Sequence, residues 1–318
     1  MGDIVRILMN RIIDYAGLFP PAKLDLPTSL QHYTKYMMGD DNWALSHFVI
    51  PQKLLENFPL DLLSPEYNYN FSLLPDLFTT TGSREAVAES FLKKLTVLVK
   101  AIEKFEEAKN VKIAWLEIKL NHHLFSFGEE LLVFIVKSLS EVSKKFSLDM
   151  IFFEIPFQNS NDRMFSSLVA VLSLDSDYPS GIKFRTGGIT PDLFPSLSSL
   201  SQAIKLCAKH GIAMKATAGL HSHIRHFDKD LGVWRYGYLN VFLAMMMAVK
   251  FQLSRQLILE LLSETDVSQI DFDGEIRWKE FALTKTDIED LRSSVAISYG
   301  SCNYIEPLEH LRGLGLLT

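Results

Sequence analysis

The feature that most limits what this chain can become is a regular alternation of short apolar runs with amphipathic stretches. Runs rich in Ile, Val and Phe recur at 12–17, 44–51, 70–76, 113–120, 150–156, 181–187 and 212–219, with a weaker one, QIDFDG, at 269–274. Between them the spacing is helical. Over 83–107, Val87, Phe91, Leu95, Leu98, Ile102 and Phe105 repeat every three or four residues and define one buried face. Leu197, Leu200, Ile204 and Cys207 form another stripe that stops at Gly211, which makes Cys207 a packing residue. Ser126 with Glu129, and Thr286 with Glu289, have the spacing of capping boxes. Strands alternating with helices imply an α/β protein with a parallel sheet. Eight such units in 318 residues favour a closed (β/α)8 TIM-type barrel over an open doubly wound sheet, with 1–318 as a single barrel domain.

Composition narrows the partners. A net charge of −6 speaks against a general nucleic-acid binder, which is usually basic with clustered Lys and Arg. Cys207 and Cys302 are too few for a disulfide framework or a four-thiolate zinc site, so a reducing cytoplasm is expected. The first 17 residues lack the apolar core and cleavage site of a secretory signal. The greasiest segment, YLNVFLAMMMAVKF at 238–251, is too short to span a bilayer and reads as a buried helix whose methionines fill core space. Small molecules or proteins are therefore expected as partners, rather than nucleic acid or membrane.

The stretch GIKFRTGG at 181–188 puts two cations on one side of an otherwise apolar strand. Side chains alternate along a strand, and in a barrel the apolar set faces the surrounding helices. Lys183 and Arg185 therefore point into the bore. The same parity brings Trp115, Glu117 and Lys119 inward on 113–120, Phe152 and Glu154 on 150–156, and Ala213, Lys215 and Thr217 on 212–219, and Asp14 joins them from the first strand. Four cations and three carboxylates thus converge from five strands near their carboxyl ends, where barrels carry their active sites. An ion-pair network that merely fills the bore is the structural alternative. Burying ions costs several kcal/mol each, and apolar layers would fill the bore more cheaply, so the set points to function.

Two resemblances bear on that function. DYAGLFPPA at 14–22, KFRTGG at 183–188, KATAGLH at 215–221 and SYGSCNYIEP at 298–307 resemble an uncharacterised bacterial protein family. That family has paired histidines after AGL, whereas here Ser222 separates His221 from His223. KFRTG and KATAG, on the strands counted as sixth and seventh, are also similar to the two lysine strands of class I aldolases of the deoxyribose-phosphate type. That likeness implies Lys183 as the imine-forming nucleophile and Lys215 as its activating neighbour, with Arg185 replacing a small polar residue.

Chemistry leads the same way. An amine must be neutral to attack a carbonyl, and nearby cations plus burial lower a lysine pKa, so Lys215 and Arg185 are expected to activate Lys183. Glu117, Glu154 or Asp14 would shuttle protons. Arg185, Lys119, His221 and the backbone at Gly187, Gly188 and Gly219 would bind a substrate carboxylate or phosphate, although tight turning explains the glycines equally well. The expected activity is a lyase or aldolase reaction on a small anionic carbonyl compound through a lysine Schiff base, without a cofactor.

Two rivals stay open. Glu117, Glu154, His221 and His223, with Asp271 or Asp273, would give an oxygen and nitrogen set for a divalent metal ion in an isomerase or lyase acting on a sugar or keto acid. A charged bore also suits a non-catalytic binder of an anionic metabolite. The loop GLFPPAKLDLP at 17–27 reads as a rim loop or a rigid connector. The segment HIRHFDKDLGVWRYGYLN reads as a substrate cover or a contact within a homo-oligomer.

Overall fold

The computed structural model describes residues 2–157, 162–174 and 178–317. Eight parallel strands close into a barrel: β1 Ile13–Tyr15, β2 Leu45–Pro51, β3 Tyr69–Leu74, β4 Val111–Lys119, β5 Met150–Glu154, β6 Ser180–Arg185, β7 Ala213–Thr217 and β8 Ala296–Ser301. Each strand pairs with its sequence neighbours, and β1 pairs with β8 to shut the ring. The fold is thus a (β/α)8 TIM-type barrel.

Parity behaves as the sequence implies. Phe48, Phe71, Ile118, Phe153, Ile182, Phe184 and Met214 point outward and are buried beneath the helical layer. Helix Arg84–Phe105 buries the face formed by Val87, Phe91, Leu95, Leu98, Ile102 and Phe105. Helix Leu197–His210 ends at Gly211, whose φ of 66° is the left-handed geometry that glycine supplies at a helix stop, and Cys207 is buried in the core. Helix Tyr238–Lys250 is buried on every side over its first eleven residues, Met245, Met246 and Met247 included. Asn240 is admitted to that helix because its amide donates to the carbonyls of Leu261 and Glu264 and its oxygen accepts the Arg225 N–H.

Three expectations are corrected. QIDFDG is not the eighth barrel strand. Ile270–Asp271 is one edge of a small antiparallel sheet with Ile276–Trp278 and Phe281–Leu283, outside the barrel, and AISYGS at 296–301 closes the ring. Ser126 does not cap the helix Glu129–Phe146. It terminates the short turn His122–Phe125, and the helix begins after Gly128, whose φ of 83° reverses the chain without a side-chain cap. The last capping box lies two residues earlier than expected: Thr284 accepts the Asp287 N–H, and the Asp287 carboxylate accepts the Thr284 N–H. Among the described residues, no helix is long and apolar enough to cross a membrane.

Candidate active site

Strand register brings the charges together. Lys119 pairs with Glu154, Glu154 with Lys183, and Lys183 with Lys215 on successive strands β4 to β7. Two lysines directly opposite one another repel. The carboxylate of Glu117 reaches across the bore to lie between them, accepting Lys183 Nζ at 2.8 Å and Lys215 Nζ at 2.6 Å. Ser72 Oγ on β3 donates to the same carboxylate at 2.5 Å.

From this centre the ion pairs run both ways. Lys183 Nζ meets Glu154 Oε2 at 2.6 Å, and Glu154 Oε1 lies 3.4 Å from Arg185 Nε. On the other side Lys215 Nζ meets Asp14 Oδ2 at 2.7 Å. The result is an alternating chain, Asp14–Lys215–Glu117–Lys183–Glu154–Arg185, in which three carboxylates balance three cations. That alternation is what makes burial of so many charges tolerable. Below it, Trp115 and Phe152 form an apolar floor, with the Lys215 ammonium 4.6 Å from the Trp115 ring centre.

The chain opens upward into a cavity of about 1020 Å³ at the carboxyl ends of the strands. Glu117, Lys119, Glu154, Lys183, Arg185, Gly188, Gly219 and His221 all line it. Lys215 and Asp14 lie beneath, fully buried. Arg185 is about one-third exposed toward the cavity and also donates to the Gly187 carbonyl at 3.3 Å. Lys119 stands exposed at the rim. Phe19, Pro20 and Pro21 of the proline loop form part of the wall. The two-stranded ribbon of His226–Asp228 and Val233–Arg235 supplies Asp228, Asp230, Leu231 and Arg235 to the wall.

A close backbone approach explains two of the glycines. Thr186 ties the end of β6 to that of β7, its hydroxyl donating to the carbonyl of Ala218 at 2.6 Å. A Cβ on Gly219 would meet Gly187 Cα at 3.0 Å, and Gly219 has φ of +80°. Gly187 is wedged against Phe194 and Gly188 against Leu193, and Gly188 also lines the cavity.

The expected activation of Lys183 is reversed. Burial pushes its pKa down, but Glu117 and Glu154 outweigh burial and hold it well above the ordinary lysine value. Lys183 therefore rests as an ammonium. Against burial, which raises it, Glu117 is drawn down to about 2 by Lys183 and Lys215. Asp14 is likewise held far below the carboxylate range, burial again being overcome by Lys215 and His47.

The metal-ligand set does not assemble. Glu117 and Glu154 are each engaged by lysine ammonium groups. His221 Nδ1 sits 3.1 Å from Glu306 Oε2, and His223 is turned toward His310, ring centres 5.9 Å apart, its Nδ1 without a hydrogen-bond partner among the described residues. Asp271 and Asp273 sit at the exposed outlying sheet and its turn. Among the described residues, no three His, Cys, Asp or Glu side chains form a group able to hold a metal ion.

Three polar residues of the network went unnoticed in the sequence. His47 on β2 places Nδ1 3.2 Å from Asp14 Oδ1, Ser298 on β8 donates to Asp14 Oδ2, and Ser72 holds Glu117. Strand parity signals the first and last of these, since His47 alternates with the outward Phe48, and Ser72 with Phe71 and Leu73.

The closed parallel ring and its mouth cavity define the architecture as a TIM-type barrel. Among solved structures, the chain is similar to a tetrameric deoxyribose phosphate aldolase from Aeropyrum pernix, at 11% identity and a TM-score of 0.50 over 98% of this chain and 97% of that one. At that identity the likeness is one of fold. No protein-family model matches the chain, and no curated protein matches it.

Proposed function

We propose that the protein is an aldolase-type lyase that forms a Schiff base between Lys183 and a small anionic carbonyl compound. The observation that carries this reading is the division of labour between two ammonium groups sharing Glu117: Lys183 opens on the cavity, and Lys215 is sealed beneath it. A nucleophile must be reachable, whereas a proton store need not be. Lys183 attacks once it has passed a proton to Glu117 or Glu154, and the amine nitrogen then bonds to the carbonyl carbon. Loss of water gives the imine, with the leaving oxygen protonated by the same carboxylic acid. The protonated imine withdraws electrons from the adjacent carbon–carbon bond, which breaks or forms while a carboxylate moves the hydroxyl proton. Arg185 and Lys119, with the backbone of Gly188 and Gly219, face the substrate carboxylate or phosphate.

The resemblance of KFRTG and KATAG to class I aldolase strands supports this assignment, and the fold shared with the Aeropyrum pernix deoxyribose phosphate aldolase supports the aldolase-type class. Borohydride reduction in the presence of acetaldehyde, pyruvate or dihydroxyacetone phosphate, followed by intact-mass measurement and peptide mapping, tests it. A stable adduct on Lys183, lost in Lys183→Met, is expected. Retention of an anion with no adduct from any of the three would overturn the Schiff base in favour of non-catalytic binding.

A further inference from the structure

Asp14 has more partners than its charge requires. It accepts from Lys215 Nζ, Ser298 Oγ and the His47 backbone N–H, yet the His47 imidazole also lies against it. That imidazole has a second face. On the side of the barrel opposite the mouth, a separate cavity of about 720 Å³ opens at the amino ends of the strands, lined by Arg6, Arg11, Ser46, His47, Trp115 and Arg292. The ring packs on Trp115 with centres 3.6 Å apart, so it sits between the charged chain and this lower cavity.

We propose that His47 is a positioning residue for proton exchange, connecting the Lys183 site through Lys215 and Asp14 to the cavity at the amino end of the barrel. The proposal rests on the Schiff-base reading. Its contacts are continuous: Lys183 to Glu117 at 2.8 Å, Glu117 to Lys215 at 2.6 Å, Lys215 to Asp14 at 2.7 Å, and Asp14 to His47 at 3.2 Å. The charged and titratable groups around the imidazole are Asp14 from β1, Lys215 from β7 and Arg11 from the turn before β1. Ser46 Oγ, from its own strand, touches Nδ1 at 2.8 Å. Burial, Lys215 and Arg11 outweigh the pull of Asp14 and keep the ring neutral, able to accept a proton at one nitrogen and release one at the other.

The need follows from the resting charge state. One proton must leave the Lys183 nitrogen before it can attack. In the outward direction Lys183 gives a proton to Glu117, and Lys215 gives one to Asp14 and takes the one from Glu117. In the tautomer this direction uses, His47 Nδ1 accepts from Ser46 Oγ and the other ring nitrogen carries the hydrogen, so Asp14 hands its proton to Nδ1 as that other nitrogen releases one to solvent in the lower cavity. Every intermediate group recovers its charge, Lys183 is left neutral, and one proton has left the barrel on the side a bound substrate does not block. The reverse path returns it to Glu117 when the carbinolamine oxygen is protonated and leaves as water, so the protonated imine forms with no net gain or loss of protons.

The test is solvent deuterium exchange into the methyl groups of pyruvate and acetaldehyde, followed by NMR, on the full chain and on His47→Ala and His47→Gln. Both variants are expected to slow exchange at least tenfold while still giving the reduced adduct on Lys183. Imidazole added to His47→Ala is expected to restore the rate with saturation, because the cavity beside the missing ring has room for it, and substituted imidazoles should rescue in order of basicity. His47→Gln, which keeps the side-chain bulk but cannot titrate, should not be rescued, and it carries the test if the alanine variant fails to fold. Exchange at the unmodified rate in either variant, or slow exchange in folded His47→Ala with no imidazole rescue, would overturn the relay. If the unmodified chain gives neither adduct nor exchange with either probe, the Schiff-base reading itself fails and the relay falls with it.

Discussion

Glu117 is the charge whose loss the site should feel most, because it alone separates the two facing lysines. Glu117→Gln keeps the shape and an acceptor oxygen but leaves Lys183 and Lys215 with one negative charge fewer. Removing one member of a buried ion pair costs about 3–5 kcal/mol. The pKa of Glu117 gives a similar figure: a fall from 4.5 to about 2 corresponds to on the order of 3 kcal/mol. At roughly 2.1 cal/mol/K per residue, that cost lowers the melting temperature by about 5–8 °C. Since the pKa of Glu117 is depressed on folding, its contribution is complete above pH 4.5 and is lost as pH falls toward 2, so the gap between parent and variant should narrow across that window. Adding Lys183→Met removes the stranded cation and leaves Asp14–Lys215 and Glu154–Arg185 as intact pairs. The double variant should therefore lose less than the sum of the single losses by about 1–3 kcal/mol. Urea denaturation of the four proteins at pH 7 measures this cycle. Losses that add to within about 0.5 kcal/mol would refute the view of the bore as one coupled chain.

Arg185→Gln should raise KM for carboxylate- or phosphate-bearing carbonyls about 10- to 100-fold, the worth of a charged hydrogen bond, with much less change in kcat. Steady-state kinetics check this, and an equal loss with an uncharged aldehyde would remove Arg185 from anion binding. Gly219→Ala combines a φ of +80° with a methyl placed 3.0 Å from Gly187 Cα and should cost roughly 1–3 kcal/mol. Gly211→Ala, at φ +66° with nothing within 4 Å of the added methyl, should lose less in the same urea titration.

Much of the barrel was legible because the outward faces of the strands at its centre are largely apolar. Ile151, Phe153 and Ile155, or Ile182 and Phe184, leave only one way for the charged neighbours to point. Glu117, Glu154, Lys183 and Lys215 could therefore be placed in one bore from parity alone. The eighth strand was not legible, for a physical reason. AISYGS carries two serines and a glycine, weaker local signals than IDFD, and what makes 296–301 a strand is the pairing of β1 and β7 on either side, which no local window contains. Ser298 was lost with it. The charge state of Lys183 was misjudged because the sequence gives proximity of like charges along and between strands but not the reach of Glu117 and Glu154 into the space between them.

Barrel closure occurs at a seam between two distant parts of the chain, and the seam runs through the floor of the site. Asp14 belongs to a three-residue strand, yet it bonds to Ser298 on the neighbouring strand and directly to Lys215 on the strand beyond. Arg292 reinforces the same junction by donating to the carbonyls of Leu8 and Asn10. Contacts this remote in sequence carry the largest loop-closure cost and tend to form late. A chain that has built β2 to β7 but has not yet joined its ends would hold both lysines with Glu117 and Glu154 but without Asp14 beneath them, so the row of alternating charges is complete only when the ring is shut.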